Sequence, residues 1–187
     1  FTLTNILEND ILSYSDIYNY HQHGEVETRT AFAKQFSIAY SKPGSTLLPL
    51  WATENGLSQN VDSNSVVKDL KGGARHTIIS AVTALQNGAT KNFYFLTRPY
   101  IENNNNFSCW HLDHLPFPMY SAIATYTYEL GKGTYKGVLD NVPAGVEAYV
   151  FDNGEGDDVI CVWADHQNYI SIDASEFKYV DMDTDEG

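Results

Sequence analysis

The sequence is poor in cysteine, in basic residues and in long apolar runs, and each shortage excludes something. There are two cysteines in 187 residues, Cys109 and Cys161. They stand far apart with no CxxC spacing, so neither a zinc site nor a disulfide framework is indicated, and a single bridge between them stays open. Eleven Lys and Arg face 24 Asp and Glu, a net charge of −13. That balance opposes the counterion-release attraction on which nucleic-acid binding depends, so a polyanionic partner is not expected. No apolar run approaches the roughly 18 residues of a membrane span, and no signal-peptide pattern opens the chain. It begins at Phe1 and not at Met, which leads us to expect that its start has been removed or lies elsewhere. No internal repeat is present, and "NNNN" at 103–106 is the one low-complexity stretch.

What the chain does have is aromatic and apolar mass. Hydrophobic residues make up 43% and aromatics 13%, with thirteen Tyr, nine Phe and three Trp. This suffices for a buried core, and such side chains also stack on the flat apolar faces of sugars.

The first 130 residues alternate strand with helix. "YSDIYNYH" (14–21) reads as a strand with a polar exit. The spacing of Ala31, Phe32, Phe36 and Ala39 predicts a helix over 25–40, with acidic residues at its start and Pro43-Gly44 stopping it. "TLLPLWATE" (46–54) is a second strand. A long helix follows, in which Val66, Val67, Leu70, Ala74, Ile78, Ala81, Val82 and Leu85 recur at three- and four-residue intervals. Ser or Asn in "SNS" would cap it, Gly72-Gly73 would kink it, and Asn87-Gly88 would end it. "KNFYFLTRPY" (91–100) is a third strand, and "PFPMYSAIATYTYELG" (116–131) a third helix after a polar loop. Three strand-then-helix units in series are the signature of a parallel sheet with crossover helices. After Gly131 the pattern becomes short strands without helices, "YKGVLD", "VEAYVFD", "DVICVWAD", "YISID" and "FKYVDMD". We therefore expect an α/β region over 1–130 and an antiparallel β module over 131–187.

In parallel α/β folds the chemistry gathers where strands end. The first strand delivers His21 and His23 there, the second Glu54, and the third Arg98 and Tyr100, while the following loop adds Trp110, His111, Asp113 and His114. Each also has a structural reading: Glu54 as a cap or surface ion pair, His21 as a core histidine, Trp110 as a rim residue. "HLDH" (111–114) has the residue types of a metal site, but an i, i+3 histidine pair with one Asp is a weak pattern, and no metal or other cofactor is assigned. Together, an acid, two imidazoles and a tryptophan at neighbouring strand ends suit a polar ring with apolar faces, which describes a carbohydrate site. Asn106-Phe107-Ser108 fits the N-glycosylation sequon, which makes Asn106 a glycan candidate and hints at secretion.

These residues carry a resemblance. "SDIYNYHQHG", "LLPLWATENGLS", "ALQNGATKNFYFLT", a Trp-bearing loop and then a β module resemble the C-terminal half of a (β/α)₈ retaining glycoside hydrolase of the large TIM-barrel clan, followed by its β-sandwich. The likeness runs over nearly the whole chain, although its motifs are short and single out no family within the clan. It implies that Glu54 in "WATEN", at the end of the seventh strand, is the nucleophile. It implies further that His21 and His23 line the sugar site, orienting the nucleophile or sugar hydroxyls, and that Trp110 is an aromatic platform. Trp51 would pack inside the barrel. Retaining hydrolysis needs a second carboxylate about 5 to 5.5 Å from the first. In the clan it is a Glu following an Asn, and no Asn-Glu pair occurs in this sequence. Glu102 and Asp113 lie within reach of the cleft, but nothing in their setting fits them for the part. A closed barrel takes roughly 250 residues, so three of eight units imply a fragment, with the rest of the barrel on the same or another chain and the sandwich cut short at Gly187. The expectation is a secreted or extracellular retaining glycoside hydrolase acting on a polysaccharide or oligosaccharide, with its acid/base Glu outside this chain. The alternative is a non-catalytic carbohydrate-binding or structural extracellular protein on a barrel scaffold.

Overall fold

A computed structural model describes residues 5, 8–9, 14–23, 48–61 and 69–164. The helix expected over 25–40 and the strands "YISID" and "FKYVDMD" lie outside the described residues. The chain divides into two compact units between Ala122 and Ile123.

In the first unit, strands β1 (Tyr18–His23), β2 (Leu50–Gly56) and β4 (Ala89–Tyr94) form a parallel sheet in the order β1-β2-β4. Helix α1 (Leu70–Gln86) is the crossover from β2 to β4, as parallel pairing requires. Tyr18, Tyr20, Leu50 and Ala52 alternate along β1 and β2 toward one face, where they meet Ala84 of α1 and Ala89 of β4 in one apolar cluster. The buried side of α1 is built from small residues, Gly73, Ala74, Thr77, Ser80, Ala81, Thr83 and Ala84, which let the helix backbone come close to its neighbours. Its buried hydroxyls are satisfied within the helix: Thr77 Oγ1 donates to the Gly73 carbonyl (2.8 Å) and Ser80 Oγ to that of Thr77 (3.1 Å).

The start of α1 departs from the expectation. Its N-cap is Asp69, whose carboxylate accepts from Gly72 N at 2.8 Å. Gly72 and Gly73 thus occupy the first turn and do not kink a longer helix. A Cβ on Gly73 would run into Gln59 and Met119, which is why the position has no side chain. At the other end Asn87 and left-handed Gly88 (φ 92°) close the helix.

The polar loop after the third strand is also more ordered than the sequence suggests. β5 (Ile101–Glu102) and β6 (Asn105–Asn106) form a hairpin across Asn103-Asn104, both at positive φ (49° and 60°), as a two-residue primed turn demands. β6 pairs also with β3 (Gln59–Asn60), giving a small antiparallel sheet, β3-β6-β5. Helix α2 (Pro118–Leu130) follows.

The second unit contains β7 (Thr134–Val138), β8 (Val146–Asp152) and β9 (Asp158–Ala164) as an antiparallel meander, in line with the β module expected. The β8–β9 turn is tied internally: Asp152 Oδ1 accepts from Gly154 N (2.6 Å), and Asn153 Oδ1 from Glu155 N (2.8 Å) and Asp157 N (3.2 Å). Lys136 bridges to Asp158 at 2.7 Å across the sheet. Among the described residues no helix is long and apolar enough to cross a membrane.

Both cysteines are free thiols. Cys109 is fully buried and its S–H donates to the Thr97 carbonyl at 3.4 Å. Burial pushes its pKa up to about 11 and that of Cys161 up to about 12.

Two predictions follow from this packing. Replacing the cap, Asp69→Ala, should cost about 1 kcal/mol in urea unfolding of the protein. The folded thiols should resist a disulfide reagent at pH 8 and react at once in denaturant. Because burial raises these pKa values, their contribution to stability is complete below the ordinary thiol range, near about pH 8.5, and is lost as pH rises through about 11 and 12.

Candidate active site

Pairing of β2 with its neighbours shows how Glu54 is aimed. Opposite β1, Tyr20 pairs with Ala52 but His21 pairs with Glu54. Opposite β4, Ala52 pairs with Asn92 and Asn55 with Tyr94. Both neighbours therefore see one extra residue in β2 between Ala52 and Asn55, a β-bulge. The Thr53 hydroxyl spans the interruption, reaching Asn19 Oδ1 (3.2 Å) and the Tyr20 carbonyl (3.5 Å). Strict alternation would send Glu54 to the α1 side with Leu50 and Ala52. The bulge returns it to the face that carries His21 and His23.

On that face the three residues meet. His23 Nε2 lies 3.1 Å from Glu54 Oε2 in a hydrogen bond, and His21 Nδ1 lies 3.3 Å from the same oxygen. An ionised carboxylate offers acceptors only, so His23 presents its Nε2–H. Both imidazoles engage Oε2. The Glu54 and His23 side chains are each 33% exposed, so the group is accessible without being fully solvated.

Beyond Glu54 the strand turns back to the helix side. Asn55 is buried, and its Nδ2 donates to Asn92 Oδ1 at 2.7 Å and to the Ser80 carbonyl of α1 at 3.3 Å. Its own carbonyl accepts from Phe95 N at 3.2 Å. Gly56 follows because a Cβ there would run into the Phe95 carbonyl oxygen. "ENG" thus reads as a carboxylate for the cleft, an amide fastening the strand end, and a glycine making room for the next strand.

The aromatic surface beside the carboxylate differs from the expected one. Phe95 and Phe107 present T-shaped contacts to the His23 ring, at 5.5 and 6.4 Å between centroids. Tyr100 packs on both, at 6.3 and 6.1 Å. Arg98 lies 6.0 Å over the Tyr100 ring, and the Tyr100 hydroxyl donates to Glu102 at 3.2 Å, a bond that raises the tyrosine pKa. Trp110 is placed differently: its ring meets Tyr120 of α2 at 4.9 Å, and its backbone bridges to Pro116. Phe95 and Phe107 are the aromatics in contact with the His23 ring, and Tyr100 packs on both.

Asn106 requires correction as a glycan acceptor. Its side chain is 2% exposed, and its Oδ1 accepts from Ser108 N at 2.7 Å, so the folded chain gives a glycan no room at Nδ2. "HLDH" forms a tight turn: His111 N donates to the Leu115 carbonyl (2.8 Å), Asp113 Oδ1 accepts from Leu115 N (3.2 Å), and the His111 ring packs on Phe117. Trp51, expected inside a barrel, is half-buried on the same sheet face as Glu54, with Phe93 at 5.8 Å and the Lys91 ammonium 5.6 Å over its ring.

Comparison with known proteins now has a site to be set beside. No protein-family model matches the sequence, and no curated protein matches it. Among solved structures the chain is similar to a family 39 glycoside hydrolase from the gut symbiont Bacteroides cellulosilyticus WH2, with a TM-score of 0.60 and 16% identity over 87% of this chain and 36% of that one. A monomeric beta-xylosidase from Caulobacter crescentus CB15 aligns with a TM-score of 0.46 and 16% identity over 81% of this chain and 36% of that one. The first likeness is one of fold. The chain spans about a third of the length of the structures it matches, 36% in each case.

Sequence reasoning missed Asn55, Phe95 and Phe107. The one signal for the first was a polar side chain directly after Glu54 in an otherwise apolar strand; nothing local marks the two phenylalanines. Asn55→Ala should destabilise the protein by roughly 1–3 kcal/mol in chemical denaturation, since it removes a buried amide that bonds both the half-buried Asn92 and the Ser80 carbonyl.

Proposed function

We propose that the chain is the nucleophile-bearing part of a retaining glycoside hydrolase acting on a polysaccharide or oligosaccharide, with Glu54 as nucleophile. The observation that carries this reading is the convergence of His21 and His23 on one oxygen of a carboxylate that a bulge turns to the open sheet face. The glycoside hydrolase fold of the 0.60 neighbour supports it. With Oε2 held by the imidazoles, Oε1 is the oxygen that attacks an anomeric carbon. His21 and His23 hold the carboxylate in place, and the Phe95 and Tyr100 rings offer apolar surface to the sugar.

A retaining mechanism needs a second carboxylate to protonate the leaving oxygen and then activate water. Glu54 takes both of its polar partners from imidazoles, and Glu102 is bonded to Tyr100. On this reading the acid/base comes from outside these 187 residues, on further strands of a (β/α)₈ barrel belonging to the same or another chain. The sheet favours such completion: all-parallel sheets are covered on both faces. Here α1 covers one, while on the other Asn19, His21, Lys91 and Phe93 are exposed. The same reading places the enzyme outside the cell, where polysaccharides are. A second reading, carbohydrate binding without hydrolysis, is favoured by the single carboxylate.

The test is trapping in the complete protein with a panel of 2-deoxy-2-fluoro glycosides, followed by peptide mass analysis. The expected result is a covalent sugar on the peptide containing Glu54, with Glu54→Gln reducing turnover at least about a thousand-fold while folding is unchanged. A label on another carboxylate would overturn the assignment. Sugar binding without label or turnover would establish the second reading.

A further inference from the structure

The hairpin that follows β4 reaches the His23 ring through the side chain of Phe107. Its backbone is fixed at both polar groups: Phe107 N donates to the Tyr100 carbonyl at 3.1 Å, and its carbonyl accepts from Leu96 N at 3.0 Å. The next residues are fixed too, since Asn106 Oδ1 takes Ser108 N and Ser108 Oγ donates to the Trp110 carbonyl at 2.6 Å. Phe107 thus stands at the end of β6, the hairpin arm that pairs with both β5 and β3. Its ring meets three others, Phe95 at 6.2 Å, Tyr100 at 6.1 Å and the His23 imidazole at 6.4 Å, the last at an interplanar angle of 89°.

That last contact restricts a torsion that matters. An imidazole on a strand rotates about χ2 in a broad, two-fold well, so a hydrogen bond at one ring nitrogen does not by itself fix the ring. Here Phe95 and Phe107 flank His23 with edges nearly perpendicular to its plane (76° and 89°). A ring tilted out of this plane about χ2 would give up both edge contacts along with the Glu54 bond. Among the described residues no ring packs on His21 in this way, and it is 55% exposed, so the contact it makes with the same oxygen is the looser one.

We propose that Phe107 is a positioning residue: through the His23 ring it fixes the Nε2–H that holds Glu54 Oε2, and so sets the orientation of the carboxylate. It touches neither carboxylate nor sugar in this role. The effect of losing it belongs in the rate of the bond-making step more than in sugar binding, because the ring orients a reacting group and displacement of such a group lowers kcat.

The inference rests on the hydrolase reading for its kinetic part but not for its structural part, and the experiment separates the two. Phe107→Leu keeps the volume and loses the flat edge; Phe107→Tyr keeps the edge. In the complete protein, the His23 Nε2 proton is observed by NMR at low temperature, assigned through its disappearance in His23→Asn. The expected result is a slowly exchanging Nε2–H signal in the parent and in Phe107→Tyr, broadened away by exchange in Phe107→Leu, at similar thermal midpoints. With a turned-over glycoside, kcat should fall about tenfold or more in Phe107→Leu, KM should stay within about twofold, and Phe107→Tyr should restore the rate. An unchanged imidazole signal in Phe107→Leu, or loss of rate not restored by Phe107→Tyr, would overturn the proposal. Should the protein prove to bind sugars without hydrolysing them, the imidazole signal still decides.

Discussion

One extra residue in β2 determines what the sheet can do. Between Ala52 and Asn55 the strand gains a position relative to both neighbours, and every side chain beyond it changes face. Without the bulge, Glu54 would point into the apolar cluster beneath α1, where a carboxylate has no partner and would be strongly disfavoured. With it, Glu54 faces two imidazoles, and Asn55 takes the inward position instead. A neutral amide can be satisfied there, and Asn92 and the Ser80 carbonyl do so. The bulge therefore solves two problems at once: it moves the charge outward and places a bridging amide inward to tie strand, helix and neighbouring strand together.

The parts of the fold that were legible in the sequence are those with a period. The parallel order of three strands, α1 as crossover and the shift to short antiparallel strands all follow from alternation and from three- and four-residue spacing, and the structure bears them out within the described residues. The convergence of His21, His23 and Glu54 was inferred from strand ends alone, which works because parallel strands deliver their C-terminal residues to one side. The failures occurred where no period exists. Asp69 caps α1 although Ser and Asn lay nearby, because a cap is chosen by where the helix must begin to pack, and Gly73 sets that point against Gln59 and Met119. The hairpin through Asn103-Asn104 was hidden in a run of four asparagines, since its strands have two residues each and its signal is positive φ, which Asn tolerates but does not announce.

Trp110 and Phe107 show the same limit from the side of function. A tryptophan on a long loop is a natural platform candidate by residue type, yet its ring goes to Tyr120. The ring work next to the histidines falls to phenylalanines that look like ordinary core residues. Composition identified an aromatic-rich site; only the hairpin register shows which aromatics it contains.

The sheet's chemistry and its exposure point the same way. On the sheet face opposite α1, Phe93 and Lys91 are exposed and Trp51 is half-buried, beside the Glu54 carboxylate. Covering that face with more strands would bury the apolar rings and bring further strand ends to the edge where Glu54 stands. Lys91 sharpens the condition. Its ammonium, over the Trp51 ring, would be carried into a less aqueous interior, and a buried cation is tolerated only with a partner. Under the barrel reading, an element covering this face would have to be apolar toward Trp51 and Phe93 and acidic toward Lys91.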